Sequence, residues 1–453
     1  MRVELSHPCT IKEIAHLSGG RIISRENERV SAITTDTREA MIGDLFWALV
    51  GSRSDGAEYA ENAIKKGCRV LSQRQDTSDI FHTYPNQALL DFASKYIDFL
   101  PYILYRIGIT GSVGKTTTKE FLKTILSVSF RVHASEGNFN NEIGMPLSIL
   151  STSKDSKILV CEMGMNARGE ISRMSKCLSP SIGIITNIGS AHIGKLGSKL
   201  EIAKAKLEIA DGMTDGKILA PYGENLLGSS ERFVSFSSNN PSADFYLSSS
   251  TGKEIILFYK GDKILRSSFD PIGNQHKECL AAAASAALLC GQSAESVSSG
   301  IALISSDNVR QKEIFAKNFH IISDCYNASK ESMLCGIREF IHSSPSGKRS
   351  LVLGDILELG SYADDIHYEI GKSILPTEIE RLFLVGKSVG KIAEGAIDNG
   401  FPLKRIFINA DFRELAVTAC QIIDNCPIDE HIYFKASHAI ELWKIIDYIK
   451  SKE

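Results

Sequence analysis

What this sequence lacks narrows the possibilities first. No apolar run reaches the roughly 18 residues of a membrane-spanning helix, so no membrane insertion is expected. The opening stretch MRVELSHPCTIKEIAHLSGG has no apolar signal core, which predicts no secretory signal and a cytoplasmic protein. An excess of one charge is missing too. The formal net charge is −3, so no chain-wide attraction to nucleic acid or membrane is indicated. The ten cysteines contain no C-x-x-C pair. They read as reduced, mostly buried thiols, and no zinc site is expected. Internal repeats and long low-complexity tracts are absent. The last absence is one residue. GITGSVGKTTTKE, Gly108 to Glu120, looks like a phosphate-binding loop of the pattern G-x-x-x-x-G-K-[ST], yet the first glycine of that pattern would fall at Ile109.

What is present is enough apolar material, 43% of 453 residues, for two to four domains with proper cores. The first hundred residues mix short strands and helices. VSAITTDTREAMIGDLFWALVG alternates apolar and polar residues and turns at Gly43-Asp44. AEYAENAIKKGCRVL reads as a helix, a glycine stop and a strand. From Tyr102 the pattern changes to buried strands, YILYRIGIT, KILVCEMG and SIGIITNIG, alternating with helices such as TTKEFLKTIL. That alternation predicts a mostly parallel sheet covered on both faces. Residues 230–270 suggest a β-hairpin excursion, and HKECLAAAASAALLCG a helix with a glycine stop. A third unit begins near Asn308, with strands FHIISD, RSLVLGD, RLFLVG, RIFIN and HIYFKAS. Ligands gather at the carboxyl ends of strands in such sheets, where Asp324 and Asp355 stand. The fold class is therefore α/β.

The context of the opening loop suits phosphate. A buried strand leads into a glycine turn, and a helix opens at Lys115-Thr116. Its first turn offers unpaired N–H groups and the positive end of a dipole. Lys115 adds a point charge, the Thr116 hydroxyl suits Mg²⁺, and Gly111 and Gly114 allow close backbone approach. A chance strand–turn–helix is the plain alternative. Glu162 ends the apolar run KILVC, and an ionised group there needs a partner or solvent. His192 follows another strand, and in AKAKLEI two lysines, Lys204 and Lys206, read by default as a solvated helix face.

TGSVGKTTTKE resembles the compact loop of the Mur ligases, whose first glycine corresponds to Gly111. GNFNNEIGMPLSIL (137–150), EMGMNARGEI (162–171), NIGSAHIGKLGS (187–198), AKAKLEI (203–209), DCYNAS (324–329) and LGDILELG (353–360) follow in the family's order. The resemblance covers essentially the full length. It implies a mixed α/β UDP-sugar-binding domain (1–101), a central P-loop mononucleotide-binding domain with a mostly parallel sheet (102–307) and a C-terminal Rossmann-like domain (308–453). The implied reaction joins D-Ala-D-Ala to UDP-N-acetylmuramoyl-tripeptide with ATP and Mg²⁺, in a protein acting as a monomer. An acyl phosphate forms on the way, and closure is expected about a hinge near 305–310.

The resemblance implies roles residue by residue. Gly111, Ser112, Val113, Gly114, Lys115, Thr116 and Thr117 hold ATP, with Arg310 and Asp324 from the C-terminal domain. Thr116, Glu162, His192 and a Lys206 carbamylated by CO₂ hold Mg²⁺, and Lys115, Glu162, His192 and Lys206 form the catalytic set. TDTRE (35–39) and GSRSDG (51–56) supply Thr37, Arg38, Arg53, Asp55 and Gly56 for the nucleotide sugar. Arginine's planar fork suits a diphosphate. Asn138, Asn140 and Asn141 meet the muramoyl or peptide part, or else form Asx turns. Asn327, Asp355, Glu358 and His367 fall on the amino-substrate side, though capping and turn formation would explain several of them.

The chain also departs from the family. The usual H-N-x-x-N near adenine reads Gln275, His276 and Cys279 at its defining positions. An expected Asn-Pro is Ser329-Lys330, and K-G-S-R is Lys435-Ala436-Ser437-His438. The D-N-P-R motif of the ligase that adds the third residue is absent, and folylpolyglutamate synthase matches less well. From another class, an ATP-driven binding or switch module would have no need of Glu162, His192 and Lys206 beside the loop.

Overall fold

The computed structural model describes residues 1–51, 54–249, 253–269, 274–305, 312–316, 319–411 and 413–452, apart from the side chains of Asn274 and Gln275. Three sheets organise the chain. The first has six strands in the order Arg2–Thr10, Arg29–Thr34, Leu45–Trp47, Arg69–Ser72, Ile80–Phe81, Arg21–Ile22. Gly43 adopts a φ of 85° in the turn before Leu45–Trp47, which is the left-handed region that glycine enters at no steric cost. The helix Pro85–Tyr96 covers this sheet, and the Trp47 indole donates to Pro85 O at 2.8 Å.

The second sheet has nine strands. Its parallel centre runs Lys217–Pro221, Ile182–Ile185, Tyr105–Thr110, Ile158–Glu162, Val132–Ala134. All five residues of Ile158–Glu162 are buried, as a strand covered on both faces requires. Helix Lys115–Leu126 packs one apolar stripe on this sheet. Phe121, Leu122, Ile125 and Leu126 are all fully buried, each contributing about 1.5–3 kcal/mol relative to exposure. Against it lies Asn274–Leu289, whose alanines at 281–284 let the two helices approach closely.

Residues 230–270 contain the hairpin expected from sequence, Glu254–Tyr259 and Asp262–Ser268 joined by the turn Lys260-Gly261, but it extends the sheet rather than leaving it. Phe233–Ser237 and Phe245–Ser249 continue the sheet in parallel, and Glu254–Tyr259 and Asp262–Ser268 finish it antiparallel.

The third sheet has six strands, Lys312–Ala316, Phe319–Asp324, His431–Lys435, Arg349–Gly354, Arg381–Val385 and Ile406–Asn409 in that order. All pairs are parallel except Lys312–Ala316 with Phe319–Asp324. The break between second and third units expected near 307 lies outside the described residues, as does the hinge expected near 305–310 apart from Ser305. Among the described residues no helix is long and apolar enough to cross a membrane.

Candidate active site

The loop that opened the question is built by its sheet. Ile109 is a fully buried strand residue lying between Ile184 and Glu162 on the neighbouring strands. A glycine there would weaken the strand, and the turn begins only at Gly111. Gly111 has a φ of 148°, and a Cβ on it would lie 1.8 Å from Thr186 Oγ1. That same hydroxyl donates to Val113 O at 2.6 Å. Asn187 Oδ1 accepts from the backbone N–H of Ser112 and of Val113, at 3.0 and 2.9 Å. Ser112 Oγ accepts from Gly189 N–H. The loop is thus tied down from the next strand. Gly114, at a φ of 82°, precedes the helix without any side-chain cap, so an anion can meet the first-turn N–H groups. Lys115 Nζ folds back onto Gly111 O at 2.8 Å.

Glu162 ends the strand beside the loop and is 1% exposed. Its carboxylate accepts from the Thr116 hydroxyl at 2.5 Å and from Asn140 Nδ2 at 2.9 Å. Among the described residues no lysine or arginine forms an ion pair with it. A buried carboxylate without a cation, beside the Thr116 hydroxyl, offers hard oxygen donors that fit Mg²⁺, while Asn140 orients the carboxylate through its NH₂. Asn141 does something different. Its Oδ1 accepts from Ile143 and Gly144 N–H at the start of Gly144–Leu150, which is the Asx-turn alternative, and Asn138 is exposed.

The two lysines of AKAKLEI separate cleanly. Lys204 is exposed and pairs with Glu201 at 2.7 Å. Lys206 is 2% exposed, with no hydrogen-bond or ion-pair partner for its amine among the described residues. Burial, helped by the nearby Lys115 charge, pushes its pKa well below 10.5. A neutral amine is the form that adds CO₂, so the residue suits carbamylation.

His192 stands in the left-handed region at a φ of 64°. Its Nδ1 lies 2.7 Å from Glu358 Oε2. Burial lowers its pKa despite Glu358, and the charges of Lys115 and Lys206 act in the same direction. Glu358 was expected at the amino substrate, but here it is engaged by His192 and by Lys195 Nζ, the latter at 2.5 Å. Among the described residues no group of three or more His, Cys, Asp or Glu side chains is placed to hold a metal ion, so a site here draws on the Thr116 hydroxyl and Lys206 as well as on Glu162 and His192.

The cleft in front of the loop is closed by the third sheet. Ser112 to Thr117 and His276 face Asp324, Asn327 and Lys435 across it. Asp324 accepts from Lys435 Nζ at 2.6 Å and from the Tyr433 hydroxyl at 3.0 Å. Burial, with Asp324 adding to it, raises the Tyr433 pKa well above 10, so that hydroxyl stays a donor. Asn327 O accepts from Lys435 Nζ. His276 is 7% exposed, its Nδ1 has no partner, and burial lowers its pKa to about 4. Cys279 Sγ contacts Gly114 O at 3.7 Å. The side chain of Gln275, and Arg310 and Arg53 entirely, lie outside the described residues.

Two residues expected at the amino substrate are consumed by structure. Asp355 accepts from Lys387 and Ser388 N–H, at 2.8 and 2.9 Å. His367 is fully buried, its Nδ1 donates to Ala363 O, and its Nε2 accepts from Ile356 N–H. Both His367 ring nitrogens are thus engaged, whereas each Asp355 oxygen keeps a further lone pair. The departures from the family have local uses as well. Ser329 caps Lys330–Ser343 through a reciprocal bond with Ser332, and Lys330 pairs with Glu369. Ser437 Oγ accepts from Leu357 N–H at 2.9 Å.

In the first unit, Arg38 is 88% exposed and pairs with Asp36 at 2.6 Å. Thr37 O accepts from Lys66 Nζ. Asp55 accepts from Ala57 N–H and Gln73 Nε2, and a Cβ on Gly56 would lie 2.6 Å from Leu49 O. Arg38 therefore keeps its side chain open to solvent, Thr37 is held through its backbone, and Asp55 and Gly56 shape the turn. Sequence reasoning missed Asn187, Thr186 and Glu331, and it used Lys435 only as a motif position. Asn187 stands directly after a buried strand, which was the available signal.

The sequence pattern of the Mur ligase middle domain matches residues 109–287. A UDP-N-acetylmuramoyl-tripeptide–D-alanyl-D-alanine ligase of Bacillus subtilis is 34% identical over 459 aligned positions, covering 98% of each chain. Among solved structures, MurF from Acinetobacter baumannii superposes with a TM-score of 0.86 at 25% identity, over 99% of this chain and 100% of that one. The MurF ligase of Thermotoga maritima, solved in complex with ADP, gives 0.80 at 23% identity over 93% and 97%, a likeness of fold. With sequence similarity running end to end through loop, strand ends and third sheet alike, the chain belongs to the Mur ligase family, among its UDP-N-acetylmuramoyl-tripeptide–D-alanyl-D-alanine ligases.

Proposed function

We infer that this chain is an ATP-dependent ligase that joins D-alanyl-D-alanine to the tripeptide carboxylate of UDP-N-acetylmuramoyl-tripeptide, in cytoplasmic peptidoglycan precursor synthesis. The observation that carries the reading is the cleft between the phosphate loop and the carboxyl ends of the third sheet, with the buried Glu162 bonded to the loop's Thr116 beside it. ATP lies along Gly111–Thr117, its triphosphate on the first-turn N–H groups, with Asp324 as the expected ribose contact. Lys115 exchanges Gly111 O for the outer phosphates and steadies charge on the transferring phosphoryl group.

Glu162, Thr116, His192 and carbamylated Lys206 are the groups that would hold Mg²⁺, which supplies neutralisation of phosphate charge when bound. A carboxylate is a poor electrophile, so the γ-phosphoryl moves first to the tripeptide carboxylate. The amine of D-Ala-D-Ala then attacks the acyl carbon, the C–O bond to phosphate breaks, and the amine loses a proton. The third sheet must keep water off the acyl phosphate meanwhile. Arg38 and Arg53 are proposed for the nucleotide diphosphate, Asn140 for the peptide side and Asn327 for the amino substrate.

The test is product formation from ATP, Mg²⁺, UDP-N-acetylmuramoyl-tripeptide and D-Ala-D-Ala, read by mass spectrometry. A parallel tube holds the dipeptide precursor with diaminopimelate. Pentapeptide in the first tube alone is expected. Product only in the second would assign the third-residue ligase, and ATP consumed without a new amide would favour a switch module.

A further inference from the structure

The segment from Ser190 to Gly197 belongs to the second unit but is gripped by the third. Glu331, in the first turn of Lys330–Ser343, accepts from Ser190 N–H and Ser190 Oγ, both at 2.9 Å. A Cβ on Gly189 would lie 3.0 Å from the Glu331 carboxyl, so this approach uses the absence of a side chain. Further along, Glu358 O accepts from Gly194 N–H, and a Cβ on Gly194 would lie 2.4 Å from Gly360 N. The Tyr362 hydroxyl donates to Gly197 O at 2.8 Å. Two backbones from different sheets therefore touch directly, and His192 is enclosed between the two grips.

His192 and Glu358 each have a φ of 64°, which non-glycine residues enter only where the surroundings enforce it. Their side chains face each other at 2.7 Å. The other Glu358 oxygen accepts from Lys195 Nζ at 2.5 Å, and a carboxylate placed between an ammonium and an imidazole is the acceptor in both contacts. His192 must then carry its proton on Nδ1, which leaves Nε2 with a free lone pair. No partner for Nε2 occurs among the described residues.

Building on the ligase reading, we propose that Glu358 is a positioning residue. Through its bond to Nδ1 it sets the tautomer and aim of His192, and because Glu358 comes from the third unit, docking of that unit and preparation of His192 are one event. A carboxylate behind an imidazole is the arrangement that makes the opposite nitrogen a better ligand. The structure adds that this carboxylate arrives from across a domain contact. An active site that completes itself only on closure does not spend ATP on water while open.

The first readout uses protein without nucleotide or metal. In ¹⁵N-histidine-labelled protein, His192 is expected as the Nδ1–H tautomer, and Glu358→Ala should shift it toward the mixture of a free imidazole. Glu358→Gln keeps an acceptor and should retain the parent tautomer. Mn²⁺ affinity with a non-hydrolysable ATP analogue should fall about 10–100-fold in Glu358→Ala, and kcat with it, with Glu358→Gln recovering most of both. Gly194→Ala, which leaves the carboxylate in place but wedges the two backbones apart, should reproduce the Glu358→Ala spectrum and expand the molecule in X-ray scattering. Thermal melts confirm that each variant is folded. An unchanged His192 tautomer in Glu358→Ala, or a Gln variant as impaired as the Ala variant, would overturn the proposal. Failure of the parent protein to make pentapeptide would sink the ligase reading instead, and the tautomer experiment would still decide the role of Glu358.

Discussion

Replacing Lys206 with methionine should stabilise the free protein while ending ligation. The amine is 2% exposed, has no partner among the described residues, and lies near the charge of Lys115. Near neutral pH the folded chain must either hold an ammonium away from water or surrender the proton, and both routes oppose folding. Methionine keeps a long unbranched chain without a buried, unpartnered donor, so a gain of about 1–3 kcal/mol is expected.

The sign of the pH dependence follows from the direction of the shift. With the folded pKa below the 10.5 of an ordinary lysine, the unfolded chain binds more protons between the two values, and stability rises with pH there. The advantage of Lys206→Met should therefore be largest at neutral pH and below, and should close as pH approaches 10.5. Urea unfolding in CO₂-free buffer, near neutral pH and near pH ~10, reads this directly. A methionine variant less stable than the parent at neutral pH, or a gap indifferent to pH, would refute the reasoning. Either result would mean that the amine is paired in a way the geometry does not account for. Loss of ligation in the same variant checks the second half of the prediction.

Gly111→Ala should cost about 2–4 kcal/mol, from strain at a φ of 148° and loss of the Thr186–Val113 hydrogen bond, seen as a lower melting temperature together with weakened ATP binding. Glu162→Gln keeps the shape and can keep its hydrogen bonds to Thr116 and Asn140, but removes the charge. Turnover should drop at least about a hundredfold, and half-maximal rate should need more Mg²⁺, as a metal titration of the rate would reveal. Asn187→Ala strips the acceptor from two loop N–H groups, and a loss of about 1–3 kcal/mol with a raised KM for ATP is expected from melts and kinetics.

The parts legible in the sequence were those carried by contiguous residues. A buried strand, two glycines and Lys115-Thr116 announce the loop, and Ile109 makes sense once the strand is seen to run through it. Glu162 was legible as a strand-end carboxylate, but its contact with Thr116 was not. That contact spans 46 residues and depends on which strands are neighbours. Strand order also decides why Asn187 meets the loop, at a separation of 75 residues, and why Lys435 meets Asp324, at 111. Hydrophobic periodicity predicts strands without predicting their order. Asp355 and His367 show the turn and capping use that was the plain alternative for them. Their residue types suit a site, yet orphan backbone N–H groups in nearby turns claim them. Lys204 and Lys206, two apart on a helix, point in different directions, and only the packing distinguishes an exposed ion pair from a buried amine.

The most direct test of the account follows one oxygen atom. UDP-N-acetylmuramoyl-tripeptide labelled with ¹⁸O in its reacting carboxylate is turned over with ATP, Mg²⁺ and D-Ala-D-Ala, and the released phosphate is weighed by mass spectrometry. Transfer through an acyl phosphate predicts one ¹⁸O in each phosphate released and pentapeptide in equal amount. Unlabelled phosphate would mean that water, not the substrate carboxylate, receives the phosphoryl group, and would contradict the ligase mechanism assigned to this cleft.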